Sequence, residues 1–124
     1  MAAAVKAGFD SVRLAERAAD LMLDKHADDV IIMDLRELTS MTDYFVMGTA
    51  TSDIQVKAII DHVDDSLRSE GEKPYHIEGS DELSWVIIDY VNVVAHVFAP
   101  EARQYYGLER LWADAKITQV TDSA

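Results

Sequence analysis

The sequence predicts an α/β fold, with a single mixed β-sheet of about five strands and flanking helices. Three observations predict it. The chain has 124 residues, 49% of them hydrophobic, which suits one compact core. Helix-like and strand-like segments alternate in the order α-β-β-α-β-β-β-α, and neither a repeat nor a linker divides them. We therefore expect a single domain over residues 1–116 and a polar C-terminal tail over residues 117–124.

Four segments predict the helices. Residues 9–25 and residues 54–70 have the apolar spacing of amphipathic helices, and Gly71 supplies a stop after the second. Pro100 fits the first position of a short helix over residues 100–106. Gly107 breaks this helix before a further turn or two begins.

The remaining apolar segments predict the strands. The first half contains two of them, DVIIMDL (29–35) and DYFVMGTA (43–50), and a short one, PYHIEG (74–79), follows the second helix. The segment at 83–100, LSWVIIDYVNVVAHVFAP, is long enough for two strands joined by a tight turn.

The chain is strongly acidic. It carries 11 Lys and Arg against 23 Asp and Glu, a net charge of −12. Direct binding along a nucleic-acid backbone needs many phosphate-neutralising cations and is therefore disfavoured. A basic protein partner is compatible with this charge, and a merely solvated acidic surface is the alternative.

Several classes of protein are disfavoured by composition. Cysteine is absent, so neither a disulfide framework nor a thiolate metal site is possible. The apolar runs are far shorter than the ~20 residues that a membrane-spanning helix needs. The first 20 residues lack the apolar core of a secretory signal, and Asp10, Glu16 and Asp20 argue against a transit peptide. We expect a cytoplasmic protein without a membrane partner.

The turn after the second predicted strand could be a helix cap or an anion site. Ser52 and Gln55 have the spacing of a capping box, in which each side chain bonds the other residue's amide. Gly48 would let the backbone turn, and the helix amides could attract an anion. The cap is favoured because the glycine spacing of a Walker loop or dinucleotide fingerprint is missing.

A nucleotidyltransferase site in the same segment would need a second acid two residues after Asp53. Gln55 stands there, so this stretch cannot build a two-metal site. The alternative function is a nucleotide-binding or nucleotidyl-transferring enzyme in which Asp34 and Asp89 supply the missing carboxylates. The histidines lack ligand spacing, and we predict no catalytic residue, metal site or cofactor.

The 83–100 segment predicts a candidate binding surface. A two-residue turn at Tyr90 and Val91 would make three pairs face each other on one side of the sheet: Asp89–Asn92, Ile87–Val94 and Trp85–His96. The other side would be wholly apolar: Val86, Ile88, Val93, Ala95 and Val97. A tryptophan among Asp, Asn and His has the composition of a protein-binding patch. Packing of Trp85 beneath a helix is the alternative.

Five motifs occur in order along the chain: Asp-Tyr-Phe at 43–45, Gly-Thr-x-x-Ser at 48–52, Trp-Val-x-x-Asp at 85–89, Val-x-His-x-Phe at 94–98 and Tyr-x-Leu-Glu-x-Leu-Trp at 106–112. With this order and spacing, residues 14–115 resemble the ribosomal silencing factor, or Iojap-like, family. Val91 departs from the family, which usually has Gly in this turn.

The resemblance implies a nucleotidyltransferase-like fold without known transferase activity. It also implies binding to ribosomal protein uL14 of the large subunit, a steric block to subunit joining, and repression of translation under nutrient limitation and in stationary phase. A homodimer through the same apolar surface is possible. The resemblance and the facing argument together predict the partner-binding residues: Trp85, Asp89, Asn92, Val94 and His96, with Tyr106, Glu109, Leu111 and Trp112 as further contributors. Tyr106 and Trp112 could equally be core residues.

Overall fold

The computed structural model describes residues 9–121, which form four helices and one six-stranded sheet. The helices are α1 (Ser11–Asp24), α2 (Asp53–Ser69), α3 (Pro100–Tyr106) and α4 (Leu108–Leu111). The strands are β1 (Asp28–Asp34), β2 (Tyr44–Thr49), β3 (His76–Glu78), β4 (Trp85–Asp89), β5 (Val93–Phe98) and β6 (Lys116–Gln119). The predicted mixed α/β class is confirmed.

The strands are arranged in the order β3-β4-β5-β2-β1-β6. The central pair, β2 and β5, is parallel, and every other neighbouring pair is antiparallel. A parallel pair needs a long crossover, and the chain between β2 and β5 supplies it with α2, β3 and β4. The sheet is therefore mixed because of this one connection.

The two faces of the sheet bury cores of different size. Helices α1 and α2 pack on the first face, where the larger core includes Leu21, Val46 and Ile59. The second face, opposite these helices, holds a smaller core with Met33, Met47 and Phe98, covered by Leu108 of α4. Because the short helices α3 and α4 cover only part of the second face, side chains at its other end remain accessible.

Gly48 belongs to β2 and does not form the tight turn that we predicted. A Cβ atom at this position would lie 3.0 Å from the Met22 sulfur and 3.3 Å from the Ala27 Cβ. The residue therefore allows the end of α1 to approach the sheet closely, which is a packing role.

The C-terminal segment differs from the prediction. Residues 117–119, which we expected in a polar tail, belong to β6 and pair antiparallel with β1. Ile117 lies opposite Met33 and Thr118 opposite Ile32, so this pairing adds a sixth strand and covers the outer edge of β1. The sequence Lys-Ile-Thr-Gln is too short and polar to predict a strand by itself. Residues 1–8 of the predicted domain and residues 122–124 of the predicted tail lie outside the described residues.

None of the helices within residues 9–121 has both the length and the apolarity that crossing a bilayer requires.

Candidate functional site

The β4–β5 hairpin has a different register from the predicted one. Asp89 faces Val94, Ile87 faces His96, and Trp85 faces Phe98. The turn is therefore one residue later, with Val91 and Asn92 at its tip. The predicted sides of the sheet are nevertheless right, because a shift of two residues leaves each strand side chain on its original face. Asn92 is the exception, since it lies in the turn and is exposed.

The backbone conformation of Val91 explains why the sequence pattern predicts the turn one residue too early. Its φ of 74° lies in the left-handed region, and the Asn92 amide donates to the Tyr90 carbonyl at 3.0 Å across it. A β-branched residue rarely adopts this conformation. Val91 is 53% exposed, so the strained residue presents an apolar group to solvent at the tip of the hairpin.

Trp85 packs within a stack of aromatic rings on the second face. Its ring centroid lies 5.1 Å from that of Phe98 and 4.6 Å from that of Tyr106. Its indole Nε1 donates to Nδ1 of His96 at 3.1 Å. The side chain is half-buried. Trp85 therefore has features of both interpretations: it packs against the smaller core, and part of its side chain remains at the surface.

His96 is buried beneath this surface, with 3% of its area exposed. Burial penalises the imidazolium and lowers the pKa of His96 to about 3. Because Nδ1 accepts the hydrogen bond from Trp85, the neutral imidazole carries its own proton on Nε2. Among residues 9–121 this Nε2 has no hydrogen-bond partner. His96 therefore supports Trp85 from below and does not reach the surface.

An apolar groove of about 520 Å³ opens at the uncovered end of the second face. Its lining residues come from the loop after β1, the start of β2, the segment before β3, the hairpin and the residue after α4: Thr39, Met41, Thr42, Phe45, Tyr75, Asp89, Val91, Val94 and Trp112. Met41 is 85% exposed and Tyr75 76% exposed. The Asp89 carboxylate is the one acidic group among these lining residues.

The predicted partner residues are divided between the groove and its surroundings. Asp89, Val94 and Trp112 line it. Leu111, 72% exposed, and Tyr106, 50% exposed, lie on the helices that cover the remainder of the second face.

Glu109, in contrast, forms an internal ion pair. Its carboxylate accepts hydrogen bonds from Arg103 at 3.1 and 3.3 Å. The prediction that it contacts a partner therefore competes with an internal role.

Sequence reasoning missed Met41, Tyr75 and Phe45. Met41 and Tyr75 lie outside the strands, where no periodic pattern assigns a side chain to a face. Phe45 had a strand pattern, but its position beside Val94 follows only from the parallel pairing of β2 and β5.

The three acids of the alternative enzyme do not converge. Asp34 and Asp89 lie at the end of the sheet where β2 begins, whereas Asp53 follows the other end of β2. Asp34 pairs with Tyr44 on the first face, and Asp89 lies on the second. In the described part of the chain, no three His, Asp or Glu side chains lie together in a way that could hold a metal ion.

Asp34 and Gln55 both have structural partners. Arg36 donates to the Asp34 carboxylate and lowers the pKa of Asp34. The Gln55 amide nitrogen donates to the carbonyls of Lys25 and His26, while its oxygen accepts from the Thr51 amide at 2.9 Å. Gln55 therefore joins the start of α2 to the end of α1. The predicted capping box is half right, since Ser52 caps Gln55 at 3.1 Å but Gln55 bonds Thr51 in place of Ser52.

Residues 9–124 match the family described as "Ribosomal silencing factor during starvation". The chain belongs to this ribosomal silencing factor family. It is 37% identical to the ribosomal silencing factor RsfS of Bacillus subtilis over 109 residues, which cover 88% of this chain and 90% of that protein. It is also 32% identical to the chloroplastic protein Iojap of Zea mays over 108 residues, covering 85% of this chain and 44% of the maize protein.

A solved structure agrees with this family assignment. The crystal structure of a protein from Chromobacterium violaceum superposes with a TM-score of 0.82 at 30% identity, covering 94% of this chain and 97% of that one. The resemblance drawn from the five motifs is thus confirmed at the level of the family.

Proposed function

We propose that this protein binds the large ribosomal subunit in the cytoplasm through ribosomal protein uL14 and blocks joining of the small subunit. Translation is thereby repressed under nutrient limitation. Membership of the ribosomal silencing factor family supports this role. The single observation that carries the docking site is the open apolar groove on the second face, whose lining includes three of the predicted partner residues.

The groove has the physical character of a protein-docking site. Met41, Tyr75 and Val91 expose apolar surface at its mouth, and removing such surface from water releases about 25 cal/mol per Å². Exposed apolar surface gathered in one concave site favours an interaction function more than scattered exposed residues do. Asp89 adds an acidic group beside the apolar lining, which suits a partner with a basic side chain next to an apolar one.

The overall charge supports the same partner. A net charge of −12 steers the protein towards a basic ribosomal protein and repels it from bare ribosomal RNA. No direct, sequence-specific contact with nucleic acid is needed for this mode of binding.

Different predicted residues take different roles in this proposal. Asp89, Asn92, Val94 and Trp112 contact the partner, and Leu111 and Tyr106 extend the contact along the second face. Trp85 and His96 shape the site from beneath, because one is half-buried in an aromatic stack and the other is fully buried. The block itself is steric: a folded domain on the large subunit occupies volume that the small subunit needs, so no catalysis is required.

Subunit joining tests the proposal directly. Purified large and small subunits are mixed with increasing amounts of the protein, and light scattering and sedimentation measure the joined fraction. We expect this fraction to fall as the protein co-sediments with large subunits, and excess free uL14 to restore joining. Undiminished joining at saturation of the large subunit would contradict the steric mechanism, and equal binding to subunits that lack uL14 would contradict the partner. Sedimentation of the protein alone tests whether a homodimer competes for the groove.

A further inference from the structure

The Arg103 side chain of α3 donates four hydrogen bonds on the second face. Its Nη1 donates to the Thr49 hydroxyl at 2.7 Å and to the Asp29 carbonyl at 2.8 Å. Its Nε and Nη2 donate to the two Glu109 carboxylate oxygens at 3.3 and 3.1 Å. The Arg103 side chain is only 11% exposed. A planar guanidinium suits such a site, because it can donate in several fixed directions at once.

This network joins parts of the chain that are far apart in sequence. Asp29 lies near the start of β1, Thr49 ends β2, and Glu109 lies in α4. The helix α4 has four residues, and so short a helix has little stability of its own. Its position therefore depends on tertiary contacts, of which the Arg103–Glu109 pair and buried Leu108 are two.

The position of α4 matters for the proposed docking site. Leu111 and Trp112 follow Glu109 by two and three residues, and Trp112 lines the groove. Phe45, on the groove floor, lies 6.2 Å from Trp112 between ring centroids. A shift of α4 would therefore move one wall of the groove away from its floor.

We propose that Glu109 is a positioning residue and does not itself contact the partner: with Arg103 it holds α4 so that Trp112 completes the groove. This inference rests on the proposed function. Glu109 is 37% exposed, so exposure alone does not decide its role. A partner that drew its carboxylate away would leave the guanidinium of Arg103 buried without its counter-charge, which is strongly unfavourable.

A double-mutant cycle separates positioning from contact. Arg103→Met, Glu109→Met and the double variant keep side chains of similar length, and their affinities for purified large subunits are measured on folded protein. We expect each single variant to weaken binding about tenfold and the double variant to weaken it far less than independent effects would, since all three break the Arg103–Glu109 pair. Arg103→Met also removes the bonds to Thr49 and Asp29, so its effect should be the larger of the two single effects. Effects that add to about a hundredfold would overturn the proposal, as would single variants that bind like the wild type.

Glu109→Gln distinguishes a partner contact from a positioning role, because the two predict different association rates and salt dependences. This change removes the charge but keeps an oxygen that can accept from Arg103. For a positioning residue we expect an association rate within twofold of the wild type and an unchanged salt dependence. A slower association with a weaker salt dependence would mean that the carboxylate meets a basic partner, which would overturn the proposal.

A matched control comes from α2. Arg68 and Asp64 form an ion pair at 3.0 Å on the helix layer of the first face. The same double-mutant cycle at this pair should leave large-subunit binding unchanged.

A readout without the ribosome separates this inference from the proposed function. In a Trp85→Phe background, Trp112 is the remaining tryptophan, and its emission reports the position of α4. Arg103→Met and Glu109→Met should both shift this emission, and in the same direction. If the wild type failed to bind large subunits, the proposed function would fall, and an unshifted Trp112 emission would separately overturn the positioning pair.

Discussion

The indole Nε1 of Trp85 donates a hydrogen bond to Nδ1 of His96 at 3.1 Å, and this bond ties the half-buried surface of the site to its buried interior. The two residues are not opposite each other in the hairpin, because Trp85 pairs with Phe98 and His96 with Ile87. They meet diagonally, which long aromatic side chains allow. Burial keeps His96 neutral, and the bond from Trp85 to Nδ1 places the imidazole proton on Nε2.

Substitution of Trp85 tests whether it is a core residue. Trp85→Ala removes contacts with Phe98 and Tyr106, and we expect the free energy of unfolding to fall by ~3 kcal/mol. Trp85→Phe keeps a ring in the stack but leaves the His96 acceptor without its donor, at a cost of about 1 kcal/mol. Urea denaturation measures both. Full stability in Trp85→Ala, with loss of large-subunit binding, would instead identify Trp85 as a contact residue.

Met41 offers a test of the groove with a close control. Met41→Glu places a charge among apolar groove residues, and we expect binding to weaken at least tenfold, equivalent to about 1.4 kcal/mol. Ile54→Glu is the control, because Ile54 is 84% exposed, Met41 is 85% exposed, and both changes alter the charge equally. Ile54 lies at the start of α2, away from the groove. Equal binding by both variants would rule out the groove as the docking site.

Relief of backbone strain should stabilise the hairpin. Val91 has a φ of 74°, a conformation that glycine adopts without strain. We expect Val91→Gly to raise the free energy of unfolding by about 1 kcal/mol. Val91→Ala removes most of the side chain but keeps the strain, so it should not stabilise the protein. Thermal melting compares the two, and a less stable glycine variant would contradict the strain argument.

The cap of α2 should contribute to stability but not to binding. Ser52 accepts from the Gln55 amide at 3.1 Å, and Ser52→Ala should lower the free energy of unfolding by ~1 kcal/mol. The groove lies where β2 begins, whereas Ser52 follows the end of β2. Large-subunit binding by the folded fraction should therefore be unchanged. Weaker binding at full stability would place this turn in the interface.

The burial of His96 predicts a pH dependence of stability. Burial lowers the pKa of His96 from 6.5 to about 3, so between these values the unfolded chain binds a proton that the folded chain excludes. The contribution of neutral His96 to the free energy of unfolding is complete above pH 6.5 and is lost progressively as pH falls towards 3.

His96→Leu provides the comparison, because it removes the titrating group while keeping an apolar side chain. Between pH 6 and pH 4 the wild type should lose stability faster than this variant, by up to ~1.4 kcal/mol per pH unit. Denaturation curves at several pH values measure the difference. Parallel pH profiles would show that His96 titrates in the folded protein much as it does in the unfolded chain.

Local sequence patterns determined most of the elements. The apolar stripes predicted α1 and α2 to within two residues at each end, and Pro100 and Gly107 marked the bounds of α3. The two sides of β4 and β5 were also predictable, because alternation along a strand survives a register error of two residues. The order and spacing of the five motifs sufficed to assign the family.

Tertiary structure decided what depends on partners distant in sequence. The polar segment 116–119 becomes a strand because β1 offers it an edge to pair with. Glu109 is engaged by Arg103, which also bonds Thr49, 54 residues away. Met41 and Tyr75 line the same groove, although loops carry no periodicity that would predict it. His96, predicted at the surface, is buried against neighbouring aromatic rings. Periodicity specifies the face on which a side chain lies, but burial and pairing depend on which distant segments cover that face.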